Sequence, residues 1–318
     1  MAPDEKVREL LGIQHPVLLA PMAGVSGGAL AAAVSRAGGL GLIGGGYGEA
    51  DWLDEQMAIA GDARYGVGFI TWSLERQPEL LDRVLDRGVP VVMLSFGDVD
   101  RFAPKVREAG AVLLAQVQTV SQARLAVAGG AQAIVAQGGE AGGHGGLRGT
   151  MALVPAVVDA VGDQVPVIAA GGIADGRGAA AARMLGAGGV VCGTVFYAST
   201  ESLAPVGAKQ RLVEASGDHT CKSEVFDLVR GRDWPPGPWL LRTLSNRFSD
   251  RWRDDIEGLR RSLDERKRDY QAAQEAGDFD TAAVIAGEAA DLVRGVLPAE
   301  LIVKSIVEGC ERLLAGGH

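Results

Sequence analysis

One stretch of the chain, AIVAQGGEAGGHGGLRG at residues Ala133–Gly149, joins a short apolar run to a glycine-rich loop. The apolar run shows no alternation with polar residues, which is typical of a strand buried on both faces of a parallel sheet. Glycine dominates the remainder, and glycine lets the backbone turn sharply or approach a ligand closely. The stretch therefore predicts a buried strand followed by a functional loop.

Similar apolar runs recur through the first two thirds of the chain, each followed by a segment with helical spacing. Their starts are roughly two dozen residues apart, as expected for a strand–helix repeat. The eight runs begin at Val17, Leu40, Tyr65, Val89, Val112, Ala133, Val165 and Gly189. Eight such units predict an α/β fold, a (β/α)8 TIM barrel. In this fold the loops after the strands build the active site, and the longest interval contains the loop Gly138–Gly149.

The composition narrows the class of protein. The 318 residues include 46 glycines, and 47% of the chain is hydrophobic and 22% charged, which are globular values apart from the excess of glycine. A net charge of −9 argues against a nucleic-acid partner, which usually needs a basic face. No signal peptide and no membrane span are predicted. Three well-separated cysteines are typical of a reducing compartment, so we expect a cytoplasmic protein.

The strand–helix repeat breaks after the eighth strand. Residues 201–295 fit no further unit, and we predict that they form a mainly helical lid inserted into the barrel. A rigid turn is expected at Trp234–Trp239 (WPPGPW), followed by two helices at Asp250–Ala276 and Asp280–Arg294. The first of these helices mixes charges of both signs, so it is expected to face solvent or a partner subunit, as in a homodimer.

The remainder of the chain is assigned to the barrel. Residues 1–200 and 296–318 make up this domain, and the amphipathic segment Pro298–Leu314 is predicted to be its last helix, with proline at its start. The barrel ring is thus expected to close after the lid.

Two glycine-rich turns indicate a phosphate site. Gly171 and Gly172 follow the seventh strand, and Gly193 and Thr194 follow the eighth. In TIM barrels these two loops often bind phosphate through backbone N–H groups, and a side chain at the glycine positions would block the approach. The Thr194 hydroxyl can add a donor. Tight turns without a ligand would also use glycine. However, both turns follow the two strands after which barrels bind phosphate, and this favours the phosphate site.

His144 is the candidate catalytic residue. It lies in the long loop after the sixth strand, and glycines flank it on both sides (GGHGG), so its ring is expected to be unobstructed. A histidine presented in this way at the catalytic end of a barrel suits acid/base chemistry. No cysteine, histidine or carboxylate pair accompanies it at metal-ligand spacing, so no metal site is predicted.

At these residues the sequence resembles the nitronate monooxygenase family, also called 2-nitropropane dioxygenases. The resemblance spans about residues 10–200 and weakens in the lid, where FDLVRGRDWP and LSNRFSDRW also look like members of the group. The motifs that carry it are LLAPMAGVSGG (Leu18–Gly28), AQGGEAGGHGG (Ala136–Gly146), PVIAAGGIADGRG (Pro166–Gly178) and GTVF (Gly193–Phe196). It implies a TIM barrel that binds FMN without a covalent bond. The same motifs occur in FMN-dependent enoyl-acyl-carrier-protein reductase II enzymes.

The resemblance also implies a set of cofactor contacts. Gly171, Gly172, Gly193 and Thr194 would hold the FMN phosphate, and His144 would face the substrate over the flavin. The other contacts carried over by position are Ala20, Pro21, Met22, Gly68, Gln116, Gln137, Ala141, Gly142 and Gly143. Gly68 departs from the pattern, because many relatives have a polar asparagine there. Another group would then hold the pyrimidine end of the flavin.

The implied reaction is the oxidation of an alkyl nitronate by O2 at FMN, giving a carbonyl compound and nitrite. In one alternative His144 removes the α-proton of a neutral nitroalkane, and in the other it is protonated and holds the anionic nitronate. FMN carries the redox step, and the protein orients the substrate.

Three other functions remain open from the sequence. An enoyl reductase or another NAD(P)H-consuming flavin reductase shares the motifs, although the lid resembles nitronate monooxygenases more. The segment GVSGG (Gly24–Gly28) matches GxSxG, so a hydrolase with Ser26 as nucleophile is a remote alternative. A flavin-binding barrel without catalysis, acting as a sensor or scaffold, is the third.

Overall fold

The apolar runs form the strands of the protein. The computed structural model describes residues 1–235 and 237–317. Within them the strands are β1 (Val17–Leu19), β2 (Gly41–Gly44), β3 (Tyr65–Ile70), β4 (Val91–Ser95), β5 (Val112–Val117), β6 (Ala133–Gln137), β7 (Gly143–Gly145), β8 (Val167–Ala170), β9 (Gly189–Cys192), β10 (Thr220–Ser223) and β11 (Leu240–Leu244). His318 and Pro236, which belongs to the predicted turn Trp234–Trp239, lie outside the described residues.

Eight parallel strands form the barrel. Their order is β1–β9–β8–β6–β5–β4–β3–β2. The ring closes between β1 and β2, where the Leu19 N–H donates to the Leu40 carbonyl at 2.9 Å and the Leu40 N–H donates to the Val17 carbonyl at 3.0 Å. The predicted (β/α)8 TIM barrel is confirmed, with each strand close to its expected start.

Side chains that alternate along the barrel strands form two separate buried apolar layers. In β4, Met93 belongs to one buried cluster with Leu18 of β1, whereas Val92 belongs to the other. Successive side chains of a strand point to opposite faces, so the first cluster fills the barrel and the second packs under the helices. Val7 and Leu11 of the first helix join the inner cluster. This helix therefore packs against the end of the barrel at which the strands begin.

The helices surround the barrel and extend into the inserted segment. Within the described residues they are α1 (Pro3–Leu11), α2 (Gly28–Arg36), α3 (Ala50–Ala60), α4 (Thr71–Leu74), α5 (Glu79–Asp86), α6 (Ala103–Glu108), α7 (Val120–Ala128), α8 (Thr150–Val161), α9 (Gly176–Met184), α10 (Thr194–Tyr197), α11 (Val206–Val213), α12 (Val225–Val229), α13 (Arg247–Trp252), α14 (Ile256–Arg261), α15 (Leu263–Ala276) and α16 (Ala299–Leu314). The prediction for the last helix is confirmed. None of these helices has the length and apolar character needed to cross a membrane.

The segment after the barrel strands contains strands as well as helices. β10 pairs antiparallel with β11, and β11 pairs antiparallel with β7, which carries His144. A separate apolar cluster, including Phe226, Phe248 and Tyr270, packs the helices of this segment together. The small sheet therefore joins the glycine-rich loop of the barrel to the inserted segment.

Two helix predictions for the inserted segment are wrong. The predicted helix Asp250–Ala276 is interrupted, because the Asp255 side chain accepts a hydrogen bond from the Gly258 N–H at 2.9 Å and starts the new helix α14. Another break falls at Ser262, which separates α14 from α15. Local capping thus overrides the continuous charged pattern.

The predicted helix Asp280–Arg294 is absent apart from a short 3-10 turn at Glu288–Leu292. Its backbone bonds to other elements instead, since the Val284 carbonyl accepts from the Leu244 N–H at 2.9 Å. The Glu288 N–H likewise donates to the Glu140 carbonyl at 2.9 Å. Tertiary contacts at the mouth of the barrel therefore outweigh the helical propensity of this segment.

Candidate active site

A cavity opens at the carboxyl ends of the barrel strands. Its walls combine loops after the strands with residues of the inserted segment, including Arg230, Trp234 and Ile285. All of the site residues predicted from the sequence line it: Ala20, Pro21, Met22, Gly68, Gln116, Gln137, Ala141, Gly142, Gly143, His144, Gly171, Gly172, Gly193 and Thr194. The fold thus brings these fourteen residues together, although their individual roles remain predictions.

Backbone conformation explains why two of these positions are glycine. Gly171 has φ of +103° and Gly172 has φ of +70°, a region that other residues rarely adopt. A Cβ on Gly171 would also lie 2.9 Å from the Gly138 carbonyl oxygen. The turn after β8 therefore needs glycine for its own geometry as well as for an approaching ligand.

Gly68 departs from the family pattern for a steric reason. A Cβ at this position of β3 would lie 2.4 Å from both Cβ and Cγ of Pro21. Real side chains essentially never approach so closely, so an asparagine would require Pro21 to move. The close packing of β3 against the Pro21 ring leaves no space for a side chain at position 68.

Hydrogen bonds between side chains hold the glycine-rich loop. Gln137 donates through Nε2 to the His144 carbonyl at 3.0 Å. Gln118 donates to the Gln137 side-chain oxygen at 2.9 Å, and Trp239 donates to the Gln118 side-chain oxygen at 3.1 Å. This chain of contacts fixes the backbone that presents the imidazole.

His144 forms a buried pair with Asp227 of α12. The distance between Nε2 and Oδ2 is 2.8 Å, and the two side chains are only 6% and 8% exposed. Burial lowers the pKa of His144 below its usual range, and the adjacent Asp227 carboxylate offsets only part of that effect. The imidazole is therefore neutral at pH 7, with Nε2–H donated to Asp227 and Nδ1 left as the basic nitrogen.

An aromatic cluster covers the imidazole. The Trp234 indole stacks on His144, and Phe96 packs edge-on against Trp234 with 5.0 Å between ring centroids. Trp234 also donates through Nε1 to the Tyr47 hydroxyl at 3.1 Å. Phe96 has φ of +66°, the left-handed conformation that costs energy in a bulky residue. The cluster keeps water away from one face of the histidine.

Charged groups support the loop from outside the cavity. Lys222 of β10 donates to the carbonyls of Gly145 and Gly146, and its burial lowers its pKa to about 8. Glu140 accepts from the Thr150 N–H and from the Thr150 hydroxyl at 2.8 Å. These contacts hold the loop against β10 and α8.

The sequence did not identify the inserted residues that complete the site. Asp227, Arg230 and Trp234 all lie in FDLVRGRDWP, a motif that resembles the family but was given no role. Tyr47 and Phe96 follow barrel strands and carried no motif. The signal for the first group was the motif itself, which places two carboxylates, two guanidinium groups and one indole within eight residues.

Ser26 does not suit nucleophilic chemistry. It is fully buried, and its hydroxyl donates to the Ala20 carbonyl at 2.8 Å while accepting from the Met22 N–H at 3.2 Å. The serine therefore stabilises the turn after β1, and the hydrolase alternative is wrong. Within residues 1–235 and 237–317, no group of three or more metal-ligating side chains is found.

The fold and the cavity define a TIM-barrel enzyme with its site at the carboxyl ends of the strands. The sequence matches the family described as nitronate monooxygenase over residues 4–63 and 72–309. A nitronate monooxygenase from Metarhizium robertsii is 34% identical over 333 residues, covering 94% of this chain and 91% of that relative. The chain belongs to the nitronate monooxygenase family, and it is accordingly a flavoprotein and an oxidoreductase.

Other similar proteins carry different names. A hydroxy-methyl-oxo-octahydroindene-carboxyl-CoA dehydrogenase from Mycobacterium tuberculosis is 38% identical over 223 residues, which is 69% of this chain. The chain spans only 62% of that relative's length. FabK from Thermotoga maritima superposes with a TM-score of 0.85 and 32% identity, covering 98% of this chain and 97% of FabK. Membership in the family therefore leaves the substrate to be proposed.

Proposed function

We propose that this chain oxidises alkyl nitronates with O2 at a bound FMN, giving a carbonyl compound and nitrite. The observation that carries the proposal is the buried His144–Asp227 pair, whose histidine lines the same cavity as the glycine-rich turns. An acid/base group beside this cleft suits a nitroalkane, which must lose its α-proton to become the nitronate that is oxidised. Family membership supports the same chemistry.

The residues present fit FMN. Gly172 and Thr194 line the cavity, and their backbone N–H groups donate to no acceptor within the described residues, as a phosphate site requires. The Thr194 hydroxyl oxygen accepts from the Gly287 N–H at 2.9 Å, so its own hydrogen is available to a ligand. A Cβ on Gly193 would lie 3.4 Å from the Ala20 Cβ, which would narrow the same part of the cavity.

The remaining predicted contacts extend from this phosphate site. We propose that Ala20, Pro21 and Met22 run along the isoalloxazine ring. Gln116 and Gln137 would meet its polar edge, and the backbone of Ala141, Gly142 and Gly143 would complete the cleft. Gly68 would add backbone only, since the Pro21 ring occupies the space of a side chain.

The side chains around His144 have distinct tasks in this mechanism. Bound FMN would accept electrons from the substrate. His144 would take the α-proton of a neutral nitroalkane at Nδ1, since a neutral imidazole is a base and not a cation. Asp227 holds Nε2–H and thereby fixes the tautomer, and it stabilises the imidazolium once the proton has arrived. Trp234 covers the ring and limits access of water.

The test is oxygen uptake by purified, FMN-loaded protein. Uptake that depends on an alkyl nitronate, needs no NAD(P)H and yields nitrite supports the proposal. Release of nitrite at the rate of the uncatalysed reaction would remove it. Separately, the bound cofactor would be extracted and its mass measured, which tests whether it is FMN.

A second candidate is NAD(P)H-dependent enoyl-acyl-carrier-protein reduction. The backbone similarity to FabK over nearly the whole chain favours it. An assay with NADH and an enoyl thioester separates the two functions, because rapid NADH bleaching is expected only of the reductase. The family match and the relatives named as nitronate monooxygenases place the nitronate proposal first.

We further propose that residues 201–295 act as the substrate lid. Their own apolar cluster supports this division, and so does the contribution of Asp227, Arg230 and Trp234 to the site. Residues 1–200 and 296–318 would then hold the flavin. Residues 201–295 are mainly helical, as expected, and β11 attaches them to the loop that carries His144.

A further inference from the structure

One charged side chain of the cavity has no task in the chemistry described above. Arg230 lines the cavity, and of the described residues that do so it alone carries a permanent charge. Its Nη1 atom is buried and has no hydrogen-bond partner within the described residues. Burying part of a guanidinium without a partner costs free energy. One guanidinium nitrogen at the cavity therefore lacks an acceptor, although the Asp227 carboxylate three residues earlier offsets part of its charge.

The position of Arg230 relates it to the catalytic pair. It follows α12 directly and lies three residues after Asp227, so both side chains project from the same side of this turn. The positive charge of Arg230 is close enough to contribute to the lowered pKa of His144. The guanidinium thus belongs to the region of the cavity next to the imidazole.

We propose that Arg230 binds the oxygen atoms of the nitronate and makes the site prefer this anion over a neutral nitroalkane. The proposal rests on the proposed function. A guanidinium is planar and pairs with two oxygens of one planar anion through two parallel hydrogen bonds. The neutral His144 offers the nitronate no charge, so Arg230 supplies the electrostatic complement. This gives Arg230 a binding role and leaves proton transfer to His144.

The probe is inorganic nitrate, an unreactive planar anion with the oxygen arrangement of a nitro group. Nitrate is titrated into FMN-loaded protein at constant ionic strength, and binding is followed by the change in the flavin absorption spectrum. The Arg230→Met variant is expected to bind nitrate about 10- to 100-fold more weakly than the unchanged protein, the usual effect of losing a charge-assisted contact. Arg261→Met, which removes an exposed lid arginine, is expected to leave nitrate binding unchanged.

Arg230→Lys keeps the charge but not the two parallel hydrogen bonds, so it should weaken nitrate binding severalfold and serves if the methionine variant does not fold. Unchanged nitrate affinity in the Arg230 variants, or no nitrate binding by the unchanged protein, would overturn the proposal. A cofactor role is a competing explanation. If Arg230 held the FMN phosphate, its replacement would weaken FMN binding but not riboflavin binding, and that result would also overturn the proposal.

The nitrate experiment separates this inference from the proposed function, because it requires no turnover. Arg230-dependent nitrate binding in a protein that fails to oxidise nitronates would support the anion site and contradict the function. If nitronates are oxidised, the ratio of kcat/KM for a nitronate to that for its neutral nitroalkane should fall in Arg230→Met. An unchanged ratio would contradict the proposed preference.

Discussion

The imidazole of His144 lies parallel to the indole of Trp234, with 3.4 Å between ring centroids and 14° between ring planes. The two residues come from a barrel loop and from the inserted segment, so their contact joins the two parts of the site. It covers the imidazole, and burial is the largest cause of the lowered pKa of His144. This contact with the inserted segment thereby helps to keep the candidate base neutral.

Replacing Trp234 with alanine should raise the pKa of His144 toward its ordinary value, because water would then reach the imidazole. Turnover should fall by up to about 100-fold, since a base that is no longer held in place loses its alignment. The pH dependence of the oxidation of a neutral nitroalkane measures the first effect, since a nitronate has no α-proton for His144 to take. Trp252→Ala, at a tryptophan of the inserted segment that does not line the cavity, is the matched control and should leave the profile unmoved. An unaltered profile in Trp234→Ala would argue against burial as the cause.

Asp227→Asn should lower the pKa of His144 further, because the carboxylate is the group that raises it. The amide also allows the wrong tautomer, so kcat/KM should drop by about 100-fold or more while FMN stays bound. The pH profile reports the pKa of His144, and the flavin spectrum reports whether FMN stays bound. Asp254→Asn changes the charge equally at an exposed lid position and should behave like the unchanged protein. Full activity in Asp227→Asn would exclude a role for the pair.

Gly68→Asn restores the residue that many relatives carry, yet it should destabilise this protein. Its Cβ would meet Pro21 at 2.4 Å, and forced overpacking typically costs about 1–3 kcal/mol in the free energy of unfolding. Urea denaturation measures the change. Gly277→Asn is the control, because its Cβ meets no atom within 4 Å and asparagine tolerates its left-handed conformation, with φ of +69° and ψ of +26°. Equal stability of the two variants would show that Pro21 moves easily.

Lys222 should make stability depend on pH in the alkaline range. Burial lowers its pKa to about 8 from the ordinary value of 10.5, so between these values the unfolded chain binds the proton more strongly than the folded one. The free energy of unfolding should therefore rise as pH increases from about 8 to 10.5. Lys222→Met should remove this rise, whereas Lys304→Met, at an exposed site, should retain it. A rise of the same size in Lys222→Met would assign it to other groups.

The barrel could be predicted because short stretches of sequence specify each of its strands and turns. Strands such as β6 are buried on both faces and read as continuous apolar runs, and the turns between them demand glycine at fixed places, as at Gly171. The inserted segment was not predictable in the same way. Asp280–Arg294 has helical spacing, but its backbone bonds to β11 and to the glycine-rich loop, which lie far away in the sequence.

The candidate site likewise contains residues that the sequence identified and residues that only the structure revealed. His144 was found from its flanking glycines, and the fourteen predicted residues meet at one cavity. Its partner Asp227 lies 83 residues further along the chain, and no spacing rule connects the two. The charge of Arg230 and the stacking of Trp234 likewise acquire meaning only when α12 is placed over the barrel. Long-range packing therefore brings these groups to His144, and a local sequence pattern does not show which groups they are.

The most direct test of the central claim is oxygen consumption by FMN-loaded protein with an alkyl nitronate and its neutral nitroalkane, for the unchanged chain and for His144→Asn. We expect NAD(P)H-independent oxygen uptake with nitrite release by the unchanged chain. In His144→Asn, FMN should remain bound while turnover of the neutral nitroalkane falls by about 100-fold or more. Undiminished turnover of the nitroalkane by His144→Asn, or uptake only with NAD(P)H, would contradict the account.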